Sequence, residues 1–213
     1  MTYSKRWFEP LSVAEDGIVV GRNKAFGIGT LLVLRCSSTK RILMGRKSFR
    51  VGFEGSNQFT FPGGMLRSTG VLDFDACLEH TLYERVIAET GISIRAIDNL
   101  VSLDNWPPIV GRYTIRGDQL VSSLILPFLG YVNDELQVSA QDPSVYSVAW
   151  YNPLEIMPEV TQTNALILAQ ILWSEWSKSQ QEKVKAIVLP HFESVRANAE
   201  IVGAALPQSP WGD

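Results

Sequence analysis

Along this chain the spacing of apolar positions changes several times, and each change marks an element. Ala25 to Cys36 (AFGIGTLLVLRC) is a β pattern, and Arg41 to Gly45 (RILMG) reads as a second strand after the turn Ser37-Ser38-Thr39-Lys40. A charged, glycine-bearing loop from Arg46 to Asn57 leads into a short strand, Gln58 to Phe61. The period then becomes helical. A helix is predicted to start near Asp73 or Asp75, either of which can cap it, with Ala76, Leu78, Leu82, Val86 and Ile87 as its buried stripe and Gly91 as its left-handed stop. Ile92 to Asp104 returns to a strand pattern that breaks at Pro107-Pro108. Tyr113 to Ile115 and Leu120 to Val132 read as a hairpin joined at Arg116-Gly117-Asp118, and Val145 to Tyr151 (VYSVAWY) alternates as a strand before Asn152-Pro153 turns into a short helix. Thr163 to Lys178 is an amphipathic helix carrying Ala165, Leu168, Ala169, Leu172 and Trp176 on one face, with Trp173 off that stripe. Pro190 suits the first turn of a final helix to about Ala204.

Strands and helices in this order, too short for regular βαβ alternation, predict an α+β fold with a mixed sheet sandwiched between helices. The expected organisation is an N-terminal arm over 1–17, a main domain over 18–180, and a helical extension over 181–213 packed on the same domain.

Composition narrows the function classes. The 213 residues, 46% of them hydrophobic, suffice for one domain with a real core. A net charge of −3 offers no broad attraction to nucleic acid or to an anionic membrane. Cys36 and Cys77 are too few for a disulfide framework or a zinc site and read as small buried hydrophobes of a reducing compartment. Neither a signal-peptide pattern nor an apolar run of membrane-spanning length is present, so the cytoplasm is the expected location. There is no phosphate-binding loop of the strand–Gly-rich–Lys type, no Gly-x-Ser-x-Gly elbow, and His80 and His191 stand in no metal-spaced motif.

One stretch carries chemistry. Phe59-Thr60-Phe61-Pro62-Gly63-Gly64 is an aromatic strand entering a turn of two glycines, where backbone can approach a ligand closely, and the long helix that follows ends in Glu84-Arg85-Val86-Ile87-Ala88-Glu89-Thr90-Gly91-Ile92. This unit resembles the Nudix family, whose signature runs Gly, five residues, Glu, seven residues, then Arg-Glu-U-x-Glu-Glu-x-Gly-U, where U is bulky and aliphatic. Gly64, Val86, Glu89, Gly91 and Ile92 fit the pattern. The Arg-Glu pair is reversed as Glu84-Arg85, Ala88 replaces the first paired glutamate, Gly70 stands where the early glutamate belongs, and the tail falls six residues late.

The resemblance implies a Nudix-like domain and metal-assisted attack of water on a diphosphate, with Mg²⁺ or Mn²⁺ held by Glu89 and the Gly63 backbone. The three helix positions that should bear carboxylates are Arg85, Ala88 and Glu89, so a single acid is left, and Arg85 is placed to pair with it at i, i+4. Glu84 is a substitute catalytic acid, but it lies five residues before Glu89 and about 140° around the helix, at ~100° per residue, and pairing with His80 is its alternative. Arg46, Lys47 and Arg50 precede the turn and can grip phosphate or simply be solvated; Phe49 or Phe53 can stack on a base. Asp104, Asp134 and Glu135 are candidates for a further acid on a later loop, and Trp106 for a pocket wall.

Two readings follow. In the first the chain is a divergent, divalent-metal-dependent Nudix-type hydrolase that cleaves a nucleoside diphosphate linked to another moiety, with Glu89 and Glu84 as acids and Gly63, Gly64, Arg46, Arg50 and Arg85 at the substrate. In the second it is a catalytically inactive Nudix-fold module that binds a nucleotide-like ligand or a protein partner, with Arg85 replacing the metal's charge and meeting phosphate. A homodimer through Trp173 and the C-terminal helix is compatible with either.

Overall fold

The computed structural model describes residues 12–13, 18–20, 25–49, 55–66, 74–103, 109–115, 119–202 and 211. In chain order the elements are β1 (Ser12–Val13), β2 (Ile18–Val20), β3 (Ala25–Cys36), β4 (Ile42–Lys47), β5 (Phe59–Thr60), β6 (Gly63–Met65), α1 (Phe74–Thr90), β7 (Asp98–Ser102), β8 (Ile109–Ile115), β9 (Gln119–Val132), β10 (Val145–Tyr151), α2 (Pro153–Ile156), α3 (Gln162–Leu172) and α4 (Lys178–Val202). The fold is α+β. Its strands form one mixed sheet about β3, which runs parallel to β9 from Gly27↔Ser123 to Cys36↔Val132. The other edge of β3 meets β2, β6 and β4 in turn, all antiparallel. Beyond β9 lie β7 and β8, and beyond β4 lies β10.

The period of two along β3 explains why both faces are covered. Leu32, Leu34 and Cys36 pack with Cys77, Leu78, Leu82 and Val86 of α1, while Leu31 and Val33 pack with α3 and α4 through Leu168, Leu172, Val188 and Phe192. Each such buried Leu or Phe contributes ~1.5–3 kcal/mol of hydrophobic stabilisation. Neither cysteine is in a disulfide, and both are buried, as expected of small hydrophobes. No helix among the described residues is long and apolar enough to cross a membrane.

Several expectations are corrected. Ile87 is not part of the α1 stripe; it is 42% exposed. Ile92 does not open a strand, because Ile94–Ala96 forms a 3-10 turn first and the strand begins at Asp98. The helix predicted over Thr163–Lys178 stops at Leu172, where the 3-10 turn Trp173–Glu175 lets Trp176 take an extended conformation. A new helix then starts at a capping box: Ser177 N donates to Gln180 Oε1 at 2.8 Å and Gln180 N to Ser177 Oγ at 3.4 Å. Consequently Pro190 lies inside α4 and not in a first turn. Within the chain, the Trp173 ring stacks on Trp211 with centroids 4.2 Å apart. The arm 1–17 lies outside the described residues except for Ser12–Val13, which pair with β2.

Candidate functional site

The β5–β6 turn and the end of α1 meet because β6 is stitched onto the middle of β3. Thr30 pairs with Gly64 and Leu31 with Gly63, and Leu32 N donates to the Pro62 carbonyl at 2.8 Å. At Gly63 the backbone has φ +153°, and a Cβ there would stand 2.1 Å from the Thr30 carbonyl oxygen, so only glycine fits. At Gly64 the approach is by a side chain. A Cβ would stand 3.0 Å from Nε and 3.2 Å from Cδ and Cγ of Arg85. The room that sequence reading assigns to a ligand is occupied by the protein's own arginine.

Arg85 and Glu89 lie one turn apart on α1, on the side that faces this turn. Glu89 is 5% exposed, and both of its oxygens are used. Oε2 accepts the Gly63 amide at 3.0 Å, and Oε1 accepts Nη2 of Arg85. Arg85 Nη1 donates to Asp142 Oδ2 at 2.8 Å, and more distant bonds run from Nε to the Gly63 carbonyl and from Nη2 to Ser144 Oγ, both at 3.4 Å.

Asp142, 57 residues beyond Arg85, is the member of this cluster that the sequence pattern did not reveal. It arrives because the loop after β9 caps α1: Gln141 N donates to the Ala88 carbonyl at 3.1 Å and Ser139 N to the Thr90 carbonyl at 3.0 Å, satisfying acceptors the helix end leaves open. The loop then turns at Asp142-Pro143-Ser144, where Ser144 N donates to Asp142 Oδ1 at 2.7 Å. That Asp-Pro-Ser turn ahead of the β10 pattern was the available signal.

The two carboxylates on this guanidinium behave oppositely. Burial pushes the Glu89 carboxyl above its ordinary value, against the opposing charge of Arg85 and the Gly63 amide bond. The hydrogen bonds from Ser144, then the charge of Arg85, hold Asp142 below its ordinary value. Burial dominates at Glu89, whose side chain is 6% exposed against 17% for Asp142, whereas hydrogen bonds dominate at Asp142.

The other expected site residues do not join this cluster. Glu84 pairs with His80 at 3.2 Å, both about half exposed, which fits its angular separation from Glu89. Arg46 is tied to Glu159 at 2.7 Å and to the Asn57 carbonyl at 3.1 Å, with its guanidinium 4.9 Å from the Phe59 ring centre, on the α2–α3 side. Glu135 accepts Thr39 Oγ1 at 2.8 Å, and Asp134 is exposed. Arg50, Phe53, Asp104 and Trp106 lie outside the described residues. Arg85, expected as a fork for substrate phosphate, directs four hydrogen bonds to groups of the protein itself and serves Glu89 and Asp142 as a counter-ion.

The residues present do not fit the divalent cation that the resemblance implies. Such an ion needs several free oxygen ligands. Here both Glu89 oxygens are engaged, the Gly63 carbonyl and Asp142 face a guanidinium, and the cation between them is already supplied. Among the described residues no group of three or more His, Cys, Asp or Glu side chains is arranged to hold a metal.

No protein-family model matches the sequence, and no curated protein matches it significantly. Solved structures with a similar chain path include Nudix-fold proteins. The NUDIX domain of Shewanella oneidensis NrtR, complexed with ADP ribose, is 16% identical with a TM-score of 0.49, covering 68% of this chain and 85% of that one. A bifunctional NMN adenylyltransferase/ADP ribose pyrophosphatase from Francisella tularensis is 15% identical with a TM-score of 0.49, over 70% of this chain and 41% of its own. The E. coli dihydroneopterin triphosphate pyrophosphohydrolase is 13% identical with a TM-score of 0.45, over 76% and 95%. Identities this low transfer no residue's role.

Proposed function

We propose that the chain is a Nudix-type module that binds a nucleotide-like ligand beside the Gly63–Gly64 turn without metal-dependent hydrolysis. The observation that carries this reading is the state of Glu89, whose two oxygens are spent on the Gly63 amide and on Arg85. An acid that is buried, paired and faced by a fixed cation cannot also collect a divalent ion, because like charges at such range repel strongly where water is scarce. For the ligand itself, the surroundings offer aromatic surface. Ser48 N bonds to the Ser144 carbonyl at 2.9 Å, so the segment bearing Phe49 flanks the loop that carries Asp142 and leads to Tyr146. Phe49 is 74% and Tyr146 55% exposed, faces on which a base can stack.

The test is calorimetric titration with ADP-ribose and with ADP, in a chelator and in Mg²⁺ or Mn²⁺, alongside assays for turnover. Binding is expected to persist in the chelator, to weaken about 5–150-fold in Phe49→Ala or Tyr146→Ala, the range for a lost stacking contact, and to proceed without hydrolysis. Failure of both nucleotides to bind would overturn it.

The second reading, a divergent divalent-metal-dependent hydrolase of a nucleoside diphosphate linked to another group, is favoured by one observation. The turn and the helix end are held together, with Glu89 Oε2 3.0 Å from the Gly63 amide nitrogen. Metal-stimulated turnover that vanishes in Glu89→Gln would establish it in place of the first.

A further inference from the structure

We infer that Arg85 is a built-in substitute for a divalent cation, and that removing its guanidinium would unmask a cation site formed by Glu89, Asp142 and the Gly63 carbonyl. This rests on the binding reading above, in which the wild-type site works without metal. Four oxygen-bearing groups accept from one guanidinium, Ser144 Oγ and three that suit a hard cation and come from separate segments: Glu89 from α1, Asp142 from the loop before β10, and the Gly63 carbonyl at the start of β6. The stem of the same side chain lies over Gly64, where an added Cβ would meet its Nε, Cδ and Cγ.

Charge decides the rest. With both acids ionised, two carboxylates and one guanidinium leave a single net negative charge. Without the guanidinium, two carboxylates with 6% and 17% exposed side chains face each other with a charge of −2. That arrangement is unfavourable alone and is matched by one hard divalent ion, which prefers carboxylate and carbonyl oxygens and completes its shell with water. A guanidinium is planar and satisfies the three groups as hydrogen-bond acceptors; an ion would satisfy them as ligands. In this chain the fork occupies the position, and the two cations exclude each other.

The inference is tested with Mn²⁺ alone, on the full chain, by electron paramagnetic resonance of free Mn²⁺ and by thermal unfolding. Arg85→Met keeps the stem over Gly64 and removes the charge. It is expected to bind one Mn²⁺ at least about tenfold more tightly than wild type, and its Tm should rise by about 2–4 °C at Mn²⁺ several-fold above the Kd. Adding Glu89→Gln or Asp142→Asn to Arg85→Met should remove that gain, which separates the site from stray surface binding. Should Arg85→Met fail to fold in a chelator, recovery of its near-UV circular dichroism on refolding with Mn²⁺ supports the inference, and no recovery counts against it. Wild-type binding of Mn²⁺ that is lost in Glu89→Gln overturns it, as does an Arg85→Met variant that binds no more Mn²⁺ than wild type. No nucleotide enters these measurements, so the ligand reading stands or falls by its own titration.

Discussion

Arg85 lies against Gly64: a methyl group at that glycine would stand 3.0 Å from Nε and 3.2 Å from the two nearest carbons of the stem. Because four partners pin the guanidinium, the stem has little freedom to yield. Gly64→Ala is expected to cost about 1–3 kcal/mol, the range for overpacking. Gly63→Ala meets backbone instead, at 2.1 Å, and at φ +153° it should cost about 4 kcal/mol or more, or abolish folding. Urea unfolding of both variants checks the order. Equal costs would mean that Arg85 does not constrain Gly64.

The two members of the α1 ion pair should be unequal when removed. Arg85→Met leaves two shielded carboxylates without a counter-ion and is expected to cost about 3–5 kcal/mol in the absence of metal. Glu89→Gln leaves Arg85 with Asp142 and keeps an acceptor for the Gly63 amide, so about 1–2 kcal/mol is expected. The double variant should cost less than the sum by about 0.5–3 kcal/mol. A double-mutant cycle in urea measures all three, and an Arg85→Met cost below that of Glu89→Gln would contradict the counter-ion role.

On the opposite side of the sheet, Arg35 of β3 binds Glu175 with both terminal nitrogens. The hydrogen bond from Arg35, then its charge against the cost of burial, holds the Glu175 carboxyl below its ordinary value. A carboxyl depressed in the folded state contributes stability that is present above its unfolded value of 4.5 and is lost as pH falls through the folded value. Tm should therefore fall on acidification below about pH 4.5, and Glu175→Gln should flatten that limb while lowering Tm at neutral pH. Scanning calorimetry from pH 3 to 7 reads both effects. An unchanged acid limb in the variant would show that the pair is not its source.

The stack of Trp173 on Trp211, with planes 12° apart and Lys185 Nζ 6.0 Å from the Trp211 ring centre, ties the end of the chain to the break between α3 and α4. Trp211→Ala is expected to cost about 0.5–1.5 kcal/mol beyond lost burial and to alter the near-UV circular dichroism of the remaining tryptophans. A spectrum identical to that of wild type would show that the stack does not persist in solution.

Much of the framework was legible because it depends on short-range pattern. The strands Ala25–Cys36 and Val145–Tyr151 and the helix end at Gly91 (φ +74°) stand where alternation and a left-handed cap place them. Local chemistry was also legible one turn at a time: Arg85 and Glu89 at i, i+4 form the expected pair. Where a single residue type carried the reading, it went astray. Pro190 suggested a helix start, but the Ser177–Gln180 capping box begins α4 earlier and its packed face, Val184, Val188, Phe192 and Val195, carries the helix through the proline.

By itself, then, the sequence determined the layered α+β architecture and marked the Gly63–Gly64 turn and the end of α1 as the place of interest. Only tertiary structure decided what that place contains. Arg85 reaches the Gly63 carbonyl and lies over Gly64 because β6 is registered against β3, and it meets Asp142 because a loop 57 residues downstream caps the carbonyls of α1. The physical reason is that periodicity and capping act over a few residues, whereas the charge balance of a buried site is summed over groups brought together from distant parts of the chain.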